Sequence, residues 1–225
     1  MEDAAAHLGY KTKLKMININ ENTSLQEQLK DCDGILLTPG FGERAVEGMI
    51  KSAEFAMDAK VPFLGICFGA QLFFVAFCKK YLGLKNANST EIDPNTPYPV
   101  VDILESQKEV TEIGGTMRLG AQKIIVEKST RLYEAYKQNY IYERYRHRFH
   151  IQEKYITPEA KEKGLRVSSR DETGKIINSI ELDREDHWMV GVQYHPEFSS
   201  RPYAPSKLYT AFIKECIKSK KTKVQ

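Results

Sequence analysis

Apolar residues follow two rhythms along this chain. In the first half, short apolar runs alternate with longer stretches of helical spacing. Gly34–Leu37 and Val61–Ile66 are brief, bounded by polar or turn residues, and predict buried strands. Between them, Val46, Met49, Ile50, Ala53 and Met57 recur three or four positions apart, which predicts a helix within Glu43–Lys60. Leu72–Tyr81 has helical length and is apolar throughout most of it. A helix is expected from Met1 to a stop at Gly9, a strand over Lys13–Ile19 and a helix over Leu25–Lys30. Gly83–Pro99 is rich in Asn, Ser, Asp and Pro and reads as loop. Farther on, Val100–Leu104, Ala121–Val126, Tyr140–Ile151, Leu165–Arg170, Ile176–Leu182 and Trp188–Tyr194 predict strands, and Leu208–Lys218 a closing helix with a basic end. Strands alternating with helices imply an α/β fold with a doubly wound, mostly parallel sheet. Sites in such sheets form at the carboxyl ends of strands, where the loop at Gly40 and Cys67 fall.

Composition adds limits. The 225 residues suffice for one sizeable core and one domain, with 41% hydrophobic and 28% charged residues. A net charge of +3 gives no case for nucleic acid or a membrane surface as partner. No secretory signal or bilayer-length apolar run is present. Cys32, Cys67, Cys78 and Cys216 are scattered without a CxxC pair, which argues against zinc or a disulfide framework and fits the reducing cytoplasm.

Two stretches carry chemistry. In the first, the apolar run ending at Ile66 meets a cysteine between glycines, Gly65-Ile-Cys-Phe-Gly69, and a helical run follows. Strand, Gly-x-Cys-x-Gly, helix is the layout of a nucleophile elbow, whose sharp turn needs small neighbours. It sets Cys67 at a helix N-terminus, where the dipole favours a thiolate, with the N–H of Phe68 facing a developing oxyanion. In the second, an apolar strand runs into Gln193-Tyr-His-Pro-Glu-Phe198. Residues two apart in an extended segment share a side, so Glu197 can hold the ring of His195, giving a Cys-His-Glu triad.

With Gly-Ile-Cys-Phe-Gly-Ala-Gln and Gln-Tyr-His-Pro-Glu-Phe together, the chain resembles the class I (triad) glutamine amidotransferases. Asn86–Glu91, Gly114-Gly-Thr-Met-Arg-Leu-Gly120, Glu143-Arg-Tyr-Arg-His-Arg-Phe149 and Phe198-Ser-Ser-Arg-Pro202 narrow the resemblance to the glutaminase domain of the CTP synthases, over nearly the whole chain. The resemblance implies a single glutaminase domain over residues 1–225, with Cys67 as nucleophile, His195 as acid and base, and Glu197 as its orienter. Gly40 and Phe68 would form the oxyanion hole, and Phe41, Gln71, Glu91 and Arg148 would hold L-glutamine. Arg118 would belong to the lid that couples glutaminase to synthetase, a region tied to GTP activation. No metal or organic cofactor is implied for this step; ATP, Mg and UTP would serve a synthetase domain outside this sequence. The expected reaction is hydrolysis of glutamine to glutamate and ammonia, the ammonia passing to CTP synthesis. Two departures from the family stand out. Thr38-Pro-Gly-Phe-Gly42 has Pro39, which lacks an N–H and fixes φ near about −65°, where relatives have the first of two glycines. The chain also starts inside the first helix, so the strand that normally precedes it is expected to be missing, leaving a gap or an open sheet edge. Both departures leave an idle scaffold or regulatory module as one alternative; a hydrolase of another γ-glutamyl compound is the other.

Overall fold

The computed structural model describes residues 1–17, 24–43, 45–103, 118–184 and 187–224, with side chains to residue 220. Two helices, α1 (Glu2–His7) and α2 (Leu25–Leu29), precede strand β1 (Ile35–Leu37). Then come α3 (Val46–Ala59), β2 (Phe63–Ile66), α4 (Phe68–Tyr81), β3 (Ala87–Ser89), β4 (Tyr98–Ile103) and β5 (Arg118–Val126). The remainder is α5 (Arg131–Tyr136), β6 (Tyr140–His147), β7 (Phe149–Ile151), α6 (Pro158–Glu162), β8 (Leu165–Asp171), β9 (Ile177–Arg184), β10 (His187–Val192) and α7 (Lys207–Val224).

A seven-stranded sheet in the order β1-β2-β10-β9-β8-β5-β6 forms the centre, and β3-β4-β7 makes a second, smaller sheet. The α/β architecture with flanking helices is as expected, but the central sheet is mixed, not mostly parallel. Within it only β1–β2 and β2–β10 pair in parallel; β10–β9, β9–β8, β8–β5 and β5–β6 are antiparallel. The cause is local. Short connections join β8 to β9 and β9 to β10, and a short link can only turn the chain back, whereas a parallel return needs a crossover.

Alternation along the central strands divides the core. Phe63 and Met189 face α3 and α4; Leu64, Ile66, Val190 and Val192 face the layer of α1, α5 and α7. Every residue of α4 from Phe68 to Cys78 is buried. Its apolar surface all round suits a helix that touches the main sheet on one side and the small sheet on the other.

Among the described residues no strand lies outside β1, so its outer edge is unpaired. Lys13–Ile17, expected as strand, forms no strand ladder among the described residues, and Asn18 and Ile19 fall outside them. A strand exists only where a neighbouring backbone supplies partners. The loop expected over Gly83–Pro99 contains β3, and the single strand expected over Tyr140–Ile151 breaks at Arg148 into β6 and β7. Two short helices were not foreseen: α5, capped by Thr130 accepting from the Tyr133 N–H at 3.1 Å, and α6, capped by Thr157 with Pro158 behind it.

Candidate active site

β2 ends at Ile66, and Cys67 turns the chain with φ 52° and ψ −105°. A positive φ costs a non-glycine residue steric energy, and it holds here because both flanks are fixed. The Cys67 N–H donates to Val192 O at 2.7 Å, tying the turn to β10. On the other flank, the backbones of β2 and α4 approach so closely that a Cβ on Gly65 would lie 2.7 Å from Gly69 O. A Cβ on Gly69 would run into the Leu37 carbonyl of β1. The glycines on either side of the cysteine are thus what lets strand and helix meet at this angle. Cys67 heads a 14-residue helix, with the Phe68 N–H among the donors that a first turn leaves unpaired.

His195 lies three residues beyond β10. Its N–H donates to Arg144 O at 2.9 Å, its ring stacks on Phe198 with centroids 5.2 Å apart, and Nδ1 meets Glu197 Oε1 at 2.6 Å. The His–Glu contact arises differently from the expected strand alternation: Pro196–Phe198 is a 3₁₀ turn, and that turn brings Glu197 back beneath the ring. Burial of His195 disfavours its charged form, but Cys67 and Glu197 together outweigh it and raise the ring's pKa to about 9. The ionised Cys67 sulfur favours the imidazolium, yet Nε2 has no hydrogen-bond partner among the described residues. The thiol instead donates to Arg146 O at 3.9 Å.

Around this centre, Gly40 lies against Phe68, since a Cβ on Gly40 would be 3.4 Å from the Phe68 ring. The Gly42 N–H donates to Glu91 Oε1 at 3.3 Å, so Glu91 holds the loop. Burial raises Glu91's carboxyl above the usual carboxylate range, while the Gly42 N–H and the charge of Arg148 act the other way. Arg148 sits at the break between β6 and β7, with Nε buried and without a hydrogen-bond partner among the described residues. Gln71, 2% exposed, donates from Nε2 to Phe149 O at 2.8 Å and to Gln193 Oε1 at 3.1 Å, leaving its own Oε1 unpartnered. Phe41 is 87% exposed and does not cover the site in this state.

Arg118 was expected in a lid loop. It opens strand β5, with its guanidinium 4.1 Å from the Tyr145 ring centroid, Nη1 donating to Asn178 Oδ1 at 2.7 Å and Nε donating to Gln122. Gly114–Met117, the rest of that motif before it, lie outside the described residues. Sequence reasoning missed Gln193, whose Nε2 is 3.5 Å from Cys67 Sγ. The residue sits inside the Gln-Tyr-His-Pro-Glu run, but its partners are on other elements. Among the described residues no group of His, Cys, Asp and Glu could hold a metal ion, and no helix is long and apolar enough to cross a membrane.

Comparison with known proteins gives one answer at several levels. The family model for class-I glutamine amidotransferases matches residues 1–215. The CTP synthase of Saccharolobus solfataricus is 46% identical over 215 residues, covering 94% of this chain and 40% of that protein. The CTP synthase of Bacillus thuringiensis is 41% identical over 228 residues, covering 98% and 42%. The chain thus spans about 40% of the length of the curated relatives it matches. The glutaminase domain of Trypanosoma brucei CTPS, solved with bound acivicin, superposes with a TM-score of 0.87 at 27% identity, covering 96% of this chain and 85% of that one. A glutamine amidotransferase from Thermotoga maritima shares the fold at a TM-score of 0.56 and 11% identity, over 96% of this chain and 89% of that one. The chain belongs to the class-I glutamine amidotransferase family.

Proposed function

We propose that this chain hydrolyses L-glutamine to glutamate and ammonia, and that the ammonia serves CTP formation from UTP on a synthetase domain. The observation that carries the first part is the convergence of Cys67, on its elbow, with the His195–Glu197 pair joined at 2.6 Å. Glu91 accepts the substrate's α-ammonium and Arg148 pairs with its α-carboxylate, which directs the side-chain amide at Cys67. The thiolate attacks the amide carbon, forming the S–C bond as the C=O electrons move onto oxygen. The N–H groups of Phe68 and Gly40 receive that oxyanion, a contribution of about 10²–10³ in rate per donor. His195 gives its Nε2 proton to the leaving nitrogen, the C–N bond breaks and ammonia departs, leaving a glutamyl thioester. The neutral imidazole then takes a proton from water, the hydroxide adds to the thioester carbon, and the S–C bond breaks to release glutamate and regenerate the thiolate. Glu197 holds the imidazole by Nδ1 throughout, supporting an acid–base contribution of about 10²–10⁴.

The step asks for no metal or organic cofactor; ATP, Mg and UTP would belong to the synthetase reaction, and GTP is the activator that the test below tries. The place of action is the reducing cytoplasm. The relatives named CTP synthase, of which this chain covers about 40%, are the support for a synthetase partner. The test is ammonia release from L-glutamine by wild type and Cys67→Ser, with and without GTP, beside mass spectrometry after an electrophilic glutamine analogue. Turnover lost in Cys67→Ser, with the label on Cys67, is the expected result. A folded protein that neither releases ammonia nor takes the label overturns the reading, and faster release from another γ-glutamyl donor replaces the substrate.

A further inference from the structure

We propose that Gln193 is a second hydrogen-bond donor to the reacting sulfur, one that stabilises the Cys67 thiolate independently of His195. The inference rests on Cys67 being the nucleophile and deepens that reading.

The polarity of the contact follows from a chain of amides anchored at one end. The Phe149 carbonyl can only accept, so Gln71 must present Nε2 to it, at 2.8 Å. The same Nε2 reaches Gln193 at 3.1 Å, so the atom it meets there must be the acceptor Oε1. Gln193 is left with its NH₂ turned to Cys67 Sγ at 3.5 Å. Neither amide can flip without facing like against like. The backbone fixes the side as well. The Gln193 N–H donates to Asn178 O at 2.8 Å, and Gly191, two residues earlier, faces Ala70 and Phe73 of α4, so Gln193 points to the helix that Cys67 heads.

The bland alternative is a buried tie between β10, α4 and β7. The Gln71–Phe149 and Gln71–Gln193 bonds already make that tie. What remains is an N–H aimed at a sulfur, with both glutamines 2% exposed. A neutral thiol is a weak acceptor and offsets little of the cost of burying an amide, whereas a thiolate accepts a charge-assisted bond. The amide gains most in the ionised state of the cysteine, and that differential is what stabilises the nucleophile. The thiol's backbone contact, Arg146 O, can only accept, so Gln193 is a neutral side-chain donor placed on the ionised sulfur.

The test is the pH dependence of Cys67 alkylation by iodoacetamide, read on the Cys67 peptide by mass spectrometry because Cys32 and Cys216 are partly accessible. In Gln193→Leu the pH of half-maximal rate rises by about one unit, so at any pH well below the midpoint the rate falls about tenfold. In Gln193→Glu, of equal size, a carboxylate replaces the donor and the midpoint rises further. A structural tie would change stability and leave the midpoint in place. In the unmodified protein, the side-chain NH₂ resonance of Gln193 moves with the titration of Cys67 in an NMR series, which needs no variant to fold. Folded variants whose profiles superimpose on wild type, or a Gln193 resonance indifferent to thiol ionisation, overturn the proposal. Because alkylation by iodoacetamide requires neither turnover nor glutamine binding, a protein that neither releases ammonia nor takes the glutamine-analogue label but shows these shifts refutes the glutaminase reading and keeps this one.

Discussion

Adding one methyl group at Gly65 separates the geometry of the elbow from its stability. A Cβ there would stand 2.7 Å from Gly69 O, 2.8 Å from Gly69 C and 2.9 Å from Ala70 N. All three are backbone, so no side chain can swing aside. Restoring an ordinary contact of 3.4 Å means that the first turn of α4 must retreat from β2 by about 0.7 Å. Overpacking of this kind costs about 1–3 kcal/mol. Replacing glycine inside a strand recovers about 0.5–1 kcal/mol of backbone entropy. The net destabilisation is therefore about 0–2.5 kcal/mol, which at this chain length lowers Tm by no more than about 10 °C. The displaced turn, however, carries the Phe68 N–H and begins at Cys67 itself. A misplacement near 1 Å at reacting atoms costs about 10²-fold in rate. Gly65→Ala is thus expected to remain folded at 25 °C and to lose about 10² in kcat for ammonia release. Thermal unfolding and initial rates on the same sample decide the matter. Wild-type kcat with wild-type Tm would refute the claim that close backbone approach sets the elbow.

Three other outcomes are expected. Glu197→Gln removes a charge that helps lift His195 to about 9, so the ring's NMR titration midpoint falls by about one unit or more and kcat drops by about 10²–10⁴. Arg148→Lys keeps the charge but loses the forked donor, so KM for glutamine rises by about tenfold or more with kcat nearly unchanged; a fall in kcat alone would remove Arg148 from substrate binding. Burial lowers the pKa of His150 and His187 to about 4 and of His147 to about 3, so between about pH 4 and 6.5 the unfolded chain binds more protons and stability rises with pH, by about 1.4 kcal/mol per unit for each ring. His195 has the opposite sign: its folded pKa is raised, so its contribution is full below about 6.5 and is lost as pH climbs through about 9. Stability by urea unfolding should therefore rise more steeply from about pH 4 to 6.5 in wild type than in His187→Gln, and superimposable profiles would contradict the neutral burial of that ring.

The parallel heart of the fold was legible because its strands are short, apolar on both faces and separated by helices: β1, β2 and α3 fall almost where the pattern puts them. The antiparallel half was legible as strands but not as a pairing. The run Trp188–Val192 is apolar and buried on both faces, and it pairs in parallel with β2 and antiparallel with β9, so such a run reads alike in both surroundings. Direction is set by connection length, and two residues separate β9 from β10. Lys13–Ile17 shows the converse, a strand-like pattern without a pairing partner.

At the site, legibility tracked how local the physics is. The elbow could be read because one turn, with two glycines and a strained cysteine, contains its whole reason. The His195–Glu197 contact forms, but not for the expected cause: spacing of two suits a strand, whereas Pro196 starts a 3₁₀ turn, and the contact at 2.6 Å is made by curvature. Gln193 has no local signature at all. Its side chain is defined by Gln71 from α4, by the Phe149 carbonyl at the head of β7 and by a sulfur at the end of β2, and only the assembled sheet brings these together. A buried amide whose orientation is dictated by a carbonyl two hydrogen bonds away cannot be assigned from its neighbours in sequence. It can be assigned once the acceptors are counted in space, and that count is what turns an unremarked glutamine into a donor aimed at the Cys67 sulfur.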